Sequence, residues 1–187
     1  MAYVENLTVR YGGGAVLDRF SAEFPDGAVT AISGKSGCGK TTLLSVLLGL
    51  LHPEAGSVSG FQNPSAVFQE DRLLPYLTAV KNITVTAGCT AQEAEGALRQ
   101  VGFDEADSEK NALQLSGGMA RRVAIVRAML APGDAVLLDE PFKGLDELTR
   151  GQVVRFVNEN RRGRTLVVVT HDPRDAEELH AAHFISM

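Results

Sequence analysis

Residues 3 to 11, Tyr-Val-Glu-Asn-Leu-Thr-Val-Arg-Tyr, alternate loosely between apolar and polar side chains, and residues 15 to 24 alternate again beyond the glycines at 12, 13 and 14. A period of two on both sides of a glycine break predicts an antiparallel hairpin. After the turn Pro25-Asp26-Gly27 the alternation stops. Residues 28 to 32, 135 to 138 and 165 to 169 are short runs of mainly Val, Ile, Leu and Ala. They are apolar on both faces, as strands of a helix-covered parallel sheet should be.

Helical spacing lies between these runs. Residues 41 to 51 follow a glycine loop, and Thr90-Ala91-Gln92-Glu93 is a capping-box sequence that opens a helix to about Val101. Further helices are predicted over 117 to 131, 147 to 161 and 174 to 182. Strands that alternate with helices mean an α/β layer fold. The stretch from about 70 to 131 has helices and no good strand, so it reads as a helical lobe inserted into a single domain. The core then comprises about 1 to 69 and 132 to 187, and no internal repeat interrupts it.

Composition narrows the class. The 187 residues are 44% hydrophobic with a formal net charge of −5, enough for a packed core and unlike a sequence-independent nucleic-acid binder, which wants a basic face. Cys38 and Cys89 form no C-x-x-C pair, so neither a disulfide framework nor a zinc site is expected. The first residues do not resemble a secretory signal. The most apolar run, Leu43 to Leu51, falls far short of the roughly 20 residues of a membrane span.

The candidate chemistry begins at Gly34-Lys35-Ser36-Gly37-Cys38-Gly39-Lys40-Thr41, which follows an apolar strand and leads into a helix, the context of a phosphate-binding P-loop. Glycines let successive backbone N–H groups close around phosphates, and the helix adds the positive end of its dipole. Lys40 would reach the β- and γ-phosphates and the Thr41 hydroxyl would ligate Mg²⁺. Cys38 is expected as a small filler with an outward side chain, whose alkylation would hinder ATP binding.

Ala135-Val136-Leu137-Leu138 leads into Asp139-Glu140 at a strand end, where open α/β sheets place their ligands. Asp139 is expected in the Mg²⁺ shell, and Glu140 to orient or deprotonate the attacking water. His171 follows the apolar run 165 to 169 and Thr170, positioned to hydrogen-bond a γ-phosphate oxygen. A second glycine pair stands in Leu115-Ser116-Gly117-Gly118-Met119, ahead of a helix.

Together these motifs resemble the ATP-binding-cassette (ABC) ATPases over nearly the whole chain. The resemblance implies a P-loop NTPase fold of the ABC ATPase type, with a mostly parallel core sheet, an N-terminal antiparallel β subdomain and an inserted α-helical subdomain. It makes Tyr11 the aromatic that stacks on adenine and assigns nucleotide binding to Ser36, Gly37, Cys38, Gly39, Lys40, Thr41 and Thr42. Gln69 becomes the Q-loop glutamine, close to Mg²⁺ and the attacking water. Ser116, Gly117 and Gly118 become the signature that closes over ATP held by a second copy of the chain, and Asp146 lies in the D-loop Gly144-Leu145-Asp146. Arg121, Arg122 and Arg127 are expected to be structural or surface charges on the signature helix.

Val67-Phe68-Gln69-Glu70-Asp71-Arg72-Leu73-Leu74-Pro75-Tyr76 looks like the importer ATPases for nitrate, sulfonates and taurine. The implied partners are a membrane permease that contacts Asp71 to Tyr76 and, indirectly, a solute-binding protein. The implied location is peripheral, on the cytoplasmic side of the membrane. Two departures stand out. Met119 replaces the family's usual Gln, so altered affinity for the neighbour's nucleotide is expected. The sequence stops soon after His171, so a weaker dimer or dependence on partner subunits is expected. A soluble ABC ATPase that acts on nucleic acid in repair or translation is the alternative reading. It would bring coiled coils, zinc modules or a tandem cassette. A small-molecule kinase would give no reason for Ser116-Gly117-Gly118.

Overall fold

The computed structural model describes residues 1–12 and 14–187; the predicted glycine break includes Gly13, which lies outside the described residues. In chain order the elements are β1 (Ala2–Tyr11), β2 (Gly14–Phe24), β3 (Val29–Ser33), α1 (Lys40–Leu47), β4 (Ala55–Ser59), β5 (Ser65–Val67), α2 (Ala79–Ala87), α3 (Ala91–Gln100), α4 (Glu105–Ser108), α5 (Gly117–Leu130), β6 (Ala135–Asp139), α6 (Glu147–Asn160), β7 (Thr165–Val169), α7 (Pro173–Glu178) and β8 (His183–Ser186). They fall into two compact units, one of Met1–Ala66, Gly133–Asp139 and Gly163–Met187, the other of Val67–Pro132 and Glu140–Arg162.

In the first unit β1 and β2 form the predicted antiparallel hairpin. β4, which the sequence pattern does not announce, pairs antiparallel with the other edge of β1. Ala-Gly-Ser-Val-Ser is almost wholly exposed there, so backbone pairing and not an apolar face recruits it. The second sheet has the order β5-β6-β7-β3-β8, with β6/β7, β7/β3 and β3/β8 parallel. Every residue of β6 and β7 is buried, which explains why both of their faces are apolar. Leu7, Phe24, Ile32, Leu43, Leu47, Leu137 and Val167 share one core cluster. α1 ends at Leu47, short of the expected Leu51, because Gly49 enters the left-handed region at φ 67° and closes the helix.

The second unit is helical around α5, whose Val123, Ala124, Ile125, Val126, Ala128 and Met129 are buried and which packs against α2, α3 and α6. α3 opens with the capping box at Thr90 and Glu93. The helical lobe was expected between about 70 and 131. The second unit also takes in residues 140–162, because α6 packs on α3 and α5.

Candidate active site

In the first unit the chain leaves β3 at Ser33, crosses residues 34–39 and enters α1. Gly39, the α1 N-cap, has φ 103° and offers no side-chain cap. A Cβ there would lie 3.0 Å from both the Val16 carbonyl oxygen and Leu17 Cδ2, so both conformation and space require glycine. With no side chain to satisfy them, the first N–H groups of α1 are open to an external acceptor. Lys40 Nζ donates to the carbonyls of Gly34 at 2.8 Å and Lys35 at 2.9 Å. The ammonium thus braces the loop from within. Cys38 does not point outward: it is half-buried, with Sγ 3.7 Å from Lys40 Nζ. Ser36 and Gly37 are exposed and Thr42 is half-buried.

The Thr41 hydroxyl donates to Asp139 Oδ2 at 2.9 Å, joining α1 to the end of β6 across 98 residues. Asp139 is only 1% exposed. A hydroxyl and a carboxylate are hard oxygen donors that suit Mg²⁺. Among the described residues no group of three or more His, Cys, Asp or Glu gathers to hold a metal. The pair therefore fits an ion whose shell is completed by nucleotide phosphates and water, the usual arrangement for Mg²⁺. Tyr11 ends β1 with 56% of its surface exposed. His171 follows Thr170 beyond β7 and is exposed.

In the second unit Ser116 caps α5, its Oγ accepting from the Met119 N–H at 3.3 Å. Gly117 is exposed beside it, and Gly118 is half-buried. Met119 thus keeps the backbone role of its position although it lacks a side-chain amide. Asp146 caps α6 and accepts from the Thr149 N–H at 3.0 Å and the Thr149 hydroxyl at 2.7 Å. The backbone bond, followed by the hydroxyl bond, holds its carboxyl below the ordinary value. Gln69 is exposed, in a segment without regular structure between β5 and α2.

Glu140 carries a backbone feature that sequence reading missed. Its φ is 47°, a left-handed conformation that costs a side-chain-bearing residue about 1–2 kcal/mol and concentrates at functional positions. Its carboxylate, half-buried, lies 3.2 Å from Lys143 Nζ. Asp139 and Glu140 are adjacent in sequence yet have different partners, Thr41 and Lys143.

Of the two expected roles, structural or surface, the arginines of α5 take the structural one. Arg121 is 8% exposed and donates to the carbonyls of Phe68 and Gln69. Arg127 donates to those of Asp71 and Arg72. Arg122 donates to the Val101 carbonyl at 2.7 Å and lies over the Phe103 ring. The available signal was charge within an apolar helical run, since a buried guanidinium must have acceptors. Burial raises the Asp71 carboxyl, and Arg121 and then Arg127 draw it partly back. Beyond Asp71, Leu74 is 45% and Tyr76 82% exposed. The buried Asn82 side chain fixes this stretch, accepting from the Leu74 N–H at 2.7 Å and donating to the carbonyls of Leu74, Leu77 and Thr78.

A glycine loop braced by its own lysine, leading into a helix beside a strand-end carboxylate, defines a P-loop nucleotide-binding protein of the α/β class. A family model described as ABC transporter matches residues 17–143. "Aliphatic sulfonates import ATP-binding protein SsuB 3" of Paraburkholderia xenovorans is 41% identical over 179 residues, which cover 92% of this chain and 71% of that protein. "Ergothioneine transport ATP-binding protein EgtV" of Helicobacter pylori is 32% identical over 196 residues, covering 94% and 92%. A solved dimeric ATP-binding cassette in a post-hydrolysis state bound to ADP and Pi superposes with a TM-score of 0.85 at 27% identity, over 95% of this chain and 91% of that one. The chain belongs to the ABC transporter family, as a nucleotide-binding cassette that hydrolyses ATP. The nucleic-acid alternative finds no support among these relatives. Among the described residues no helix is long and apolar enough to cross a membrane.

Proposed function

We propose that this chain is the ATP-binding subunit of an importer for a small organic anion, with aliphatic sulfonates the leading solute class. It would work as a dimer on the cytoplasmic side of a membrane permease. The observation that carries the nucleotide reading is the Thr41–Asp139 pair beside a loop that Lys40 braces. The sulfonate assignment rests on SsuB relatives such as those of Paraburkholderia xenovorans and Corynebacterium glutamicum, 41% and 40% identical.

In this reading the N–H groups of residues 36–42 and the Lys40 ammonium bind the β- and γ-phosphates. Tyr11 stacks on adenine. Thr41 and Asp139 would hold Mg²⁺, with Gln69 the further ligand expected of the family, and the ion would supply charge neutralisation for the phosphate oxygens. Glu140 orients water for attack on the γ-phosphorus, and His171 hydrogen-bonds a γ-oxygen. In the partner copy, the Ser116 hydroxyl keeps its proton to donate while its lone pair accepts from Met119, and the Gly117 and Gly118 N–H groups meet the same phosphate. Asp146 contributes from the D-loop. The exposed Leu74, Pro75 and Tyr76 offer the permease an apolar patch, with Asp71 at its edge. A solute-binding protein would deliver the solute on the opposite side.

Glu140→Gln should retain ATP and shift from monomer to dimer in light scattering when Mg²⁺-ATP is added; Ser116→Arg should abolish the shift. A dimer that survives Ser116→Arg would sink the shared-nucleotide reading. For the solute, ATP turnover of the complex in proteoliposomes should rise with binding protein loaded with an alkanesulfonate. Stimulation by ergothioneine alone would reassign the solute.

A further inference from the structure

Between the end of β5 at Val67 and the start of α2 at Ala79 the chain has no regular element, so its backbone carbonyls need other partners. Two side chains of α5 supply them. Arg121 donates from Nη1 to the Phe68 carbonyl at 2.6 Å and from Nη2 to the Gln69 carbonyl, and its Nε lies 3.0 Å from Asp71 Oδ1. Arg127 donates from Nη2 to the Asp71 carbonyl at 2.8 Å and from Nη1 to the Arg72 carbonyl at 2.9 Å. Of the five carbonyls from 68 to 72, all but that of Glu70 are held by these two forks. Both forks come from the helix whose first residue, Gly117, follows the Ser116 cap.

We propose that Arg121 and Arg127 are positioning residues for Gln69, tying its backbone to the helix that Ser116 opens so that both nucleotide-facing parts of this unit shift together. The proposal rests on the reading of Gln69 as a residue of the nucleotide site. Its physical basis is shape. A guanidinium fork can donate two near-parallel bonds to successive carbonyls, which a lysine ammonium cannot match with the same orientation. The fork grips the Gln69 main chain while the residue itself stays exposed. Asp71 has a supporting part, since its carboxylate faces the Nε edge of Arg121 and keeps that fork turned toward residues 68 and 69.

The test is amide hydrogen exchange on the full chain, combined with steady-state ATP turnover, for Arg121→Gln, Arg121→Lys, Arg127→Gln, Gln69→Ala and the Arg121→Gln/Gln69→Ala double variant. Exchange in residues 69–74 should rise roughly tenfold or more in both Gln variants while residues 123–129 of α5 stay protected. Turnover should fall several-fold with KM for ATP little changed, and Arg121→Lys should restore less than half of it. The double variant should be no slower than Gln69→Ala, because residues that act through one another do not add. Unchanged exchange at 69–74 overturns the proposal, as does an equal rise throughout α5, which would make the arginines general packing groups. Additive losses in the double variant also overturn it. If Gln69→Ala alone turns over as the wild type does, the Gln69 reading fails, whatever the exchange data report about the tether. Should Arg121→Gln fail to fold, Arg121→Lys and Arg127→Gln carry the same comparison.

Discussion

The two glycine-bearing helix openings differ in what their glycines are for. At α1, Gly39 is left-handed and hemmed in by Val16 and Leu17. At α5, a Cβ on Gly117 would meet nothing within 4 Å, and one on Gly118 only Leu145 Cδ2 at an ordinary 3.6 Å. Neither adopts a positive φ. The first opening is completed by its own chain, with Lys40 reaching back to Gly34 and Lys35. The second is capped by Ser116 and otherwise open. Gly39 answers to the fold, whereas among the described residues no atom beyond its chain neighbours and helix backbone lies within 4 Å of where a Cβ on Gly117 would stand. On the proposed reading, that open space is where a second copy's nucleotide would approach.

The contrast can be broken by alanine. Gly39→Ala should lose about 1–2 kcal/mol from left-handed backbone alone, with a further penalty from its two close neighbours, read as a lower urea midpoint. It should also weaken nucleotide binding in a fluorescent ATP-analogue titration. Gly117→Ala should do the reverse, leaving stability unchanged or slightly raised, since Gly117 is the first residue of α5 and has room for a Cβ, and binding nucleotide normally as a monomer. The same variant should fail to form the Mg²⁺-ATP-dependent dimer expected of the parent chain, as tested by light scattering. If Gly117→Ala dimerises as well as the parent chain, the glycine has no external client and the contrast collapses.

A smaller effect sharpens the comparison of caps. Ser116 caps α5 with a hydroxyl, whereas Asp146 caps α6 with a carboxylate held below its ordinary pKa of 3.8 by Thr149. A depressed carboxyl contributes stability that is present above the ordinary value and lost as pH falls through the folded one. Asp146→Asn should therefore flatten the acid limb of the stability curve below about pH 4, measured by thermal melts. An acid limb identical to that of the parent would show that the cap contributes nothing through its charge.

The sequence was most legible where side-chain pattern and burial coincide. β6 and β7 are buried at every position, and the runs 135–138 and 165–169 are apolar except for Thr165. The P-loop was legible for a related reason: its glycines, Lys40 and Thr41 are local in sequence. β4, β5 and β8 were not, because three to five residues recruited by backbone pairing leave little trace in side chains. Nor was the Arg121 tether, whose acceptors are carbonyls some 52 positions away and carry no residue identity. The left-handed Glu140 is invisible for the same reason, since nothing in the letters Asp-Glu-Pro reports a φ of 47°.

The chain has two thiols, and each unit holds one: Cys38 beside Lys40 in the first and Cys89, half-buried before α3, in the second. The two thiols make a built-in pair of chemical reporters, one for each unit. Burial raises the Cys89 thiol, so it reacts as thiolate only in alkaline buffer, while bound ATP would shield Cys38 in the meantime. The two sites can then be labelled in a fixed order without engineering a cysteine: a dye on Cys89 leaves the phosphate loop free and reports on the second unit through hydrolysis, while protection of Cys38 reads nucleotide occupancy in the first.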